Sequence, residues 1–190
     1  MVCAYMTGQA DRIEWLESAA HPIRRDPRIA RYNPLAKVPT LIVENGQALF
    51  DSRTICEYLA SSGEPTNLFP KEGEERWRAL SLQSLGDGLL DAALLARYET
   101  LARPTAFQWP DWRSAQLEKV TACLDAIESD VSSLGIDTPT IGDVTIGCAL
   151  GYLVFRFPDL KWWESRPQIA RWNESFQALP AMSATLPHDE

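Results

Sequence analysis

The sequence predicts an α+β protein, a short strand-containing part followed by a longer all-helical part. Three observations carry this. Two apolar runs, Pro39-Thr40-Leu41-Ile42-Val43 and Ala48-Leu49-Phe50, flank Asn45-Gly46, a dipeptide suited to tight hairpin turns because it tolerates positive φ. The stretch Ser61-Ser62-Gly63-Glu64-Pro65-Thr66-Asn67 collects turn formers and offers almost nothing to bury, so it is the linker candidate. Beyond it, apolar residues recur at helical spacing nearly to the end of the chain.

Taken in order, Arg12 to Glu17 places Ile13 and Trp15 in alternation, then Leu16, a pattern that predicts a strand. An Arg-rich polar stretch follows, and Asn33-Pro34 marks a turn. After the hairpin, Asp51-Ser52 supplies a helix cap, with Ile55 and Leu59 four apart on one face. Glu74 to about Leu101 predicts a helix with Trp77, Leu80, Leu85, Leu89 and Ala93 as its stripe, closed by Arg103-Pro104. From Pro110 to Leu134 a second stripe runs through Leu117, Val120, Leu124, Ile127 and Val131, and Gly135 stops it. The helix starting at Thr140 is apolar nearly all round from Val144 to Phe155, which predicts burial on every side. A last helix spans the region from Arg166-Pro167 to just before Pro180. Trp109, Trp112, Trp162, Trp163 and Trp172 are expected as core or interface groups.

Composition narrows the function. Hydrophobic residues at 45% and charged residues at 23% of 190 are ordinary for a folded chain. A net charge of −8 argues against nucleic acid or an anionic membrane as partner, since phosphate binding needs clustered Lys and Arg, and Arg24, Arg25 and Arg28 are too sparse for that. Residues 1–12 lack the basic-then-apolar pattern of a secretory signal. The apolar run 144–155, about a dozen residues, falls short of the roughly 20 that span a bilayer. A cytoplasmic location is therefore expected. Cys3, Cys56, Cys123 and Cys148 are scattered, with no CxxC pair and no neighbouring His, so no metal site is expected and the thiols are expected to be reduced. Neither His21 nor His188 stands in a context that would activate one of them.

Three blocks resemble the glutathione transferase family. Asn33-Pro34-Leu35-Ala36-Lys37-Val38-Pro39-Thr40-Leu41 is similar to that family's NPxxKVPxL signature, and the resemblance implies a cis Val38-Pro39 bond and a Val38 backbone that pairs with a peptide-like ligand. On its own the block is equally an ordinary turn into a strand. Leu49-Phe50-Asp51-Ser52-Arg53-Thr54-Ile55 resembles the acidic-Ser pair that opens a helix of the glutathione-binding half. Ser52 and the free N–H groups of the first turn would take the γ-glutamyl carboxylate, and Asp51 its ammonium group. Alone, this pair is a plain helix cap. Thr140-Ile141-Gly142-Asp143 resembles the capping box of the family's helical half and is structural. Gly86-Asp87-Gly88-Leu89-Leu90-Asp91-Ala92 resembles a bacterial subgroup, where helix glycines point to close packing at a domain or dimer interface.

The resemblance implies a thioredoxin-like N-terminal half over residues 1–62 and an all-α helical bundle over 68–190. It implies glutathione as co-substrate, no metal, a homodimer using Asp87, Asp91 and Arg97, and conjugation of glutathione to small apolar electrophiles, a detoxification chemistry. The glutathione-binding set is Val38, Pro39, Asp51 and Ser52, with Lys37 or His21 for the glycyl carboxylate. Two other functions stay open: a non-catalytic binding or interaction module, and a glutathione-dependent thiol oxidoreductase or isomerase. The family opens with a strand and a loop whose Ser, Tyr or Cys meets the glutathione sulfur. Here Val2 to Gly8 is similar to the end of the helix that follows that loop, so the thioredoxin-like half is expected to be incomplete, its start placed too late or truncated. No catalytic residue is assigned; Tyr5 sits too late to replace the loop residue.

Overall fold

A computed structural model describes residues 1–18 and 20–187, which leaves His188 outside the described residues. The chain divides into two compact units, Cys3–Thr66 and Asn67 onward.

In the first unit a five-residue helix α1 (Val2–Met6) ends at Gly8, whose φ of +67° belongs to the left-handed region that glycine tolerates. Its exit is tied to the distant helix of the same unit: Gln9 Nε2 donates to Thr7 Oγ1 and to Leu59 O, each at 2.8 Å, and Glu64 N–H donates to Thr7 O. A short helix α2 (Pro27–Ala30) is capped by Asp26, whose carboxylate accepts from Arg28 N–H. The hairpin forms as expected. Strands β1 (Leu41–Ile42) and β2 (Ala48–Leu49) are antiparallel, with Leu41 opposite Leu49, and Gly46 turns the chain at φ +82° while Asn45 Oδ1 accepts from Gln47 N–H. Helix α3 (Ser52–Ser62) follows, burying Ile55 and Leu59.

One strand expected from the sequence is not there. Residues 13–18 are irregular, and Trp15 and Leu16 are both exposed, at 76% and 65%. A strand is held by its ladder, and the sheet among the described residues has two strands, β1 and β2. Alternation in sequence without a neighbouring strand leaves the backbone groups to water.

The second unit is helical throughout: α4 (Gly73–Leu101), α5 (Pro110–Ser129), α6 (Ile141–Arg156), α7 (Trp162–Ser165), α8 (Pro167–Gln177) and α9 (Pro180–Ser183). Helix α5 ends five residues earlier than its stripe suggests, and a 3-10 turn at Val131–Ser133 takes over. α4 packs chiefly on α6 and α5. Its buried face is Ala79, Gln83, Gly86, Leu89, Ala92, Ala93, Ala96 and Glu99, so Trp77, expected in the stripe, points outward at 67% exposure. Small residues on that face let α6 approach closely. A Cβ on Gly86 would meet the Thr145 methyl at 2.8 Å, and one on Gly142 would meet Leu82 Cβ at 2.5 Å and Ala79 O at 2.8 Å. Gly86 thus serves a helix crossing inside the unit. Trp162 and Trp172 are core groups, whereas Trp109 and Trp112 are exposed.

α6 is buried along most of its length, and its start needs internal partners. Asp143, 3% exposed, supplies them: Oδ2 accepts from the N–H and hydroxyl of Thr140, and Oδ1 from Gly135 N–H, all at 2.7 Å. Ile141 N–H donates to Leu68 O at 2.7 Å. No single described helix is long and apolar enough to cross a membrane.

Asp143→Ala should destabilise the protein by about 2–5 kcal/mol, because it strands two partly buried N–H groups and a hydroxyl; urea denaturation reads this directly. In the same assay Gly142→Ala should cost about 1–3 kcal/mol by overpacking. Gly88→Ala, where the new methyl meets nothing within 4 Å, should instead gain up to about 1 kcal/mol of helix propensity. Equal effects at the two glycines would refute the close helix crossing.

Candidate functional site

The hairpin register decides where the two sequence motifs lie. With Leu41 opposite Leu49, the chain enters β1 and leaves β2 at the same end of the ribbon. Pro39 and Asp51, two residues outside the ladder on either strand, therefore both lie at that end of the ribbon, and Val38 and Ser52 are next to them in sequence. All four belong to the first unit.

The first arm is a tight loop. The Val38-Pro39 bond is cis, as expected. Val38 is 54% exposed, and among the described residues neither its N–H nor its C=O has a hydrogen-bond partner. The loop beneath it is fully engaged. Asn33, only 1% exposed, uses its side-chain amide completely: Nδ2 donates to Lys37 O at 3.1 Å and to Thr40 Oγ1 at 3.0 Å, while Oδ1 accepts from Leu35 N–H at 3.0 Å. Thr40 Oγ1 donates in turn to Lys37 O at 2.9 Å. On the outer side Arg25 donates to Pro34 O. In the sequence Asn33 is a turn former before proline and the first residue of the signature block; its role as the buried brace of this loop depends on contacts four and seven residues away.

The second arm is the start of α3. Asp51 caps it through Arg53 N–H, and its carboxylate also receives Nε and NH2 of Arg53 at 3.2 and 2.7 Å. The Arg53 hydrogen bond holds the Asp51 carboxyl below its usual value of 3.8, against a partial desolvation that works the other way. The carboxylate is about half exposed, so it stays ionised and reachable. Ser52, half-buried at the first helical position, has neither its hydroxyl nor its N–H bonded among the described residues. The pair thus offers an anionic acceptor next to free donors at a helix N-terminus, where the helix dipole favours negative charge.

Of the two residues proposed for a further carboxylate, Lys37 is exposed and has no ion-pair partner among the described residues. His21 Nδ1 is occupied, since it accepts from Ile23 N–H and Arg24 N–H at 3.1 Å. Tyr5 is 44% exposed on α1. No group of His, Cys, Asp and Glu that could hold a metal occurs among the described residues.

Comparison with known proteins finds matches to both units. Residues 2–62 match the glutathione S-transferase N-terminal domain and residues 110–174 the glutathione S-transferase C-terminal domain. The uncharacterized GST-like protein YibF of Escherichia coli (strain K12) is 34% identical over 168 residues, 87% of this chain and 83% of that protein. A glutathione transferase family member from Pseudomonas fluorescens Pf-5, solved with bound glutathione, superposes with a TM-score of 0.92 at 37% identity, over 99% of this chain and 92% of that one. A glutathione S-transferase from Methylobacillus flagellatus KT with glutathione bound gives 0.85 at 30% identity, over 98% and 92%. With matches to both domains and a relative at this identity across most of its length, the chain belongs to the glutathione S-transferase family.

Proposed function

We propose that this protein binds glutathione at the open end of its hairpin and conjugates it to small electrophiles. The observation that carries the reading is the pairing of free, correctly typed groups at one end of the ribbon. Val38 offers an exposed, unbonded peptide N–H and C=O, and Ser52 offers unbonded donors at a helix start. Glutathione presents the matching chemistry, a peptide backbone in the middle and an amino-acid head. In this reading the cysteinyl backbone pairs with Val38 as a short antiparallel strand. The γ-glutamyl carboxylate takes the Ser52 hydroxyl and the first-turn N–H groups, and the ammonium group takes Asp51, which Arg53 keeps ionised. Pro39 closes the loop on the ligand side of Val38.

Support comes from the relatives as well. Two solved structures of the Pseudomonas fluorescens protein carry glutathione and S-(propanoic acid)-glutathione, the second a glutathione already substituted at sulfur. A ligand substituted at sulfur is what a conjugating site must be able to hold. We further propose a homodimer in the cytoplasm, the assembly and location expected from the sequence.

Two calorimetric titrations and one assay test this. Ser52→Ala should weaken glutathione binding by about 1.5–3 kcal/mol, the worth of a hydrogen bond to a charged group, and Asp51→Asn should weaken it in the same direction. Conjugation of glutathione to a generic aryl halide by the purified parent separates the two readings: turnover supports the enzyme, and tight binding without turnover leaves a binding module in its place. If both variants bound as tightly as the parent, the site would lie elsewhere.

The ion pair makes a separate prediction. A carboxylate with a lowered folded pKa stabilises at pH above its unfolded value and loses that contribution as pH falls through the folded one. Asp51→Asn should therefore lower the thermal midpoint at neutral pH, and the gap should close below pH 3.8. With both side chains more than half exposed, the full effect should not exceed about 1 kcal/mol. A gap that widened on acidification would contradict the assignment.

A further inference from the structure

The Val38 N–H and the Lys37 C=O belong to one peptide unit. That unit is trans, since the cis bonds among the described residues are Val38-Pro39 and Phe50-Asp51. In a planar trans peptide the C=O and N–H point in opposite directions, so fixing one fixes the other. Two side-chain donors converge on Lys37 O, Asn33 Nδ2 and Thr40 Oγ1, and the first is buried. They hold the carbonyl toward the loop interior, and the Val38 N–H is turned away from it, unbonded and on an exposed residue. The two donors also brace each other through the Asn33 Nδ2 to Thr40 Oγ1 bond. Asn33 cannot swing out of this arrangement, because its Oδ1 accepts from Leu35 N–H and its main-chain O from Ala36 N–H at 2.8 Å. Rotation of the Lys37–Val38 peptide would break both bonds to Lys37 O at once.

We propose that Asn33 and Thr40 are positioning residues that lock the Lys37–Val38 peptide plane with its N–H presented outward, and so give the site its selectivity for a peptide ligand over one carrying only a γ-glutamyl head. The proposal rests on the glutathione reading above and deepens it. The head-group arm at Asp51 and Ser52 makes none of these bonds; its geometry is set by the cap of α3 and by Arg53. Loosening the peptide plane therefore removes recognition of the cysteinyl backbone and leaves recognition of the head intact. A preorganised donor also spares the ligand the cost of ordering the loop, which is where such a lock contributes affinity.

The test compares two ligands on the full chain: glutathione, and γ-glutamylmethylamide, which keeps the amino-acid head and its amide N–H but lacks the cysteinyl carbonyl that would accept from the Val38 N–H. Asn33→Ala empties a buried position and puts the fold at risk, so Thr40→Val carries the experiment, removing the hydroxyl while keeping the shape of a half-buried side chain. Thr40→Val should raise the glutathione Kd about three- to tenfold, the worth of one hydrogen bond, with γ-glutamylmethylamide affinity unchanged by NMR titration. Thr40→Ser, which restores the hydroxyl, should return glutathione affinity to the parent value. Equal weakening of both ligands would mean that the whole site had loosened, and would overturn the proposal in favour of a purely structural role. No loss for glutathione would overturn it too. A parent chain that binds neither ligand would sink the glutathione reading itself, an outcome distinct from the other two.

Discussion

The helical unit depends on one carboxylate. Asp143 is buried, yet it meets three donors at 2.7 Å and so serves as the internal replacement for the water that a helix start ordinarily uses. Through Gly135 it fixes the loop that follows α5, and through Thr140 it fixes the direction in which α6 sets out. α6 is then committed to a path along α4 where Gly142 and Gly86 leave no room for side chains at the crossing. Gly147 extends the same logic to the other face of α6, where an added Cβ would meet the Phe176 ring at 2.5 Å. A helix that passes this close to two neighbours has no lateral freedom, so its starting point must be right. Hydrophobic burial supplies most of the stabilisation here, and the carboxylate supplies the register in which burial is attainable.

The first unit is organised on a different basis. It has little regular structure and few buried large apolar side chains, Ile29, Ile55 and Leu59 among them. Its shape is held instead by polar side chains that reach main-chain groups: Gln9 across α1 and α3, Asp26 at α2, Asn33 in the 33–40 loop, Asn45 in the hairpin turn and Asp51 at α3. Such bonds fix local direction with more precision than apolar contacts, which are non-directional. That suits a surface whose proposed task is to aim individual N–H and C=O groups at a ligand. The groups left without partners at Val38 and Ser52 stand at the ends of both motifs, on exposed or half-buried residues that a ligand can reach.

Much of this was legible in the sequence because it is local. Asn45-Gly46 announced the hairpin, Asp51-Ser52 the start of α3, Thr140 and Asp143 the start of α6, and the stripe of Val120, Leu124 and Ile127 the buried face of α5. What sequence reading missed is non-local. Ile13, Trp15 and Leu16 have a strand's alternation, but a strand exists only if another lies beside it, and periodicity carries no information about neighbours. Trp77 is large and apolar, which fits a core stripe; the buried face of α4 is instead rich in Ala and carries Gly86, small residues that permit the close crossing with α6. The short helix α2 was hidden in an Arg-rich stretch whose start signal was Asp26-Pro27, a cap followed by proline at the first helical position. In the candidate site the motif residues themselves were readable, whereas the support given to them by Asn33 and Thr40 was not, because it consists of side-chain bonds closing within a loop.

Holding glutathione and activating it are physically separate demands. The groups assigned to the ligand here meet its backbone, its carboxylate and its ammonium group, none of which changes when the thiol loses its proton. A group that contacts thiol and thiolate forms equally lowers the dissociation constant and leaves the thiol pKa where it was, because a shift of one pKa unit requires about 1.4 kcal/mol of preference between the two protonation states. Val38, Ser52 and Asp51 can therefore account for binding and orientation, the uniform part of the interaction energy, while the rate of conjugation depends on a donor that meets the sulfur itself. The proposed site accordingly predicts affinity from geometry alone, and the thiol pKa of bound glutathione becomes the quantity that separates a conjugating enzyme from a binding module built on the same fold. A pKa left at its free value on the bound tripeptide would assign the whole of this site to recognition. A lowered one would locate the sulfur's partner as a group beyond the four residues that the two motifs provide.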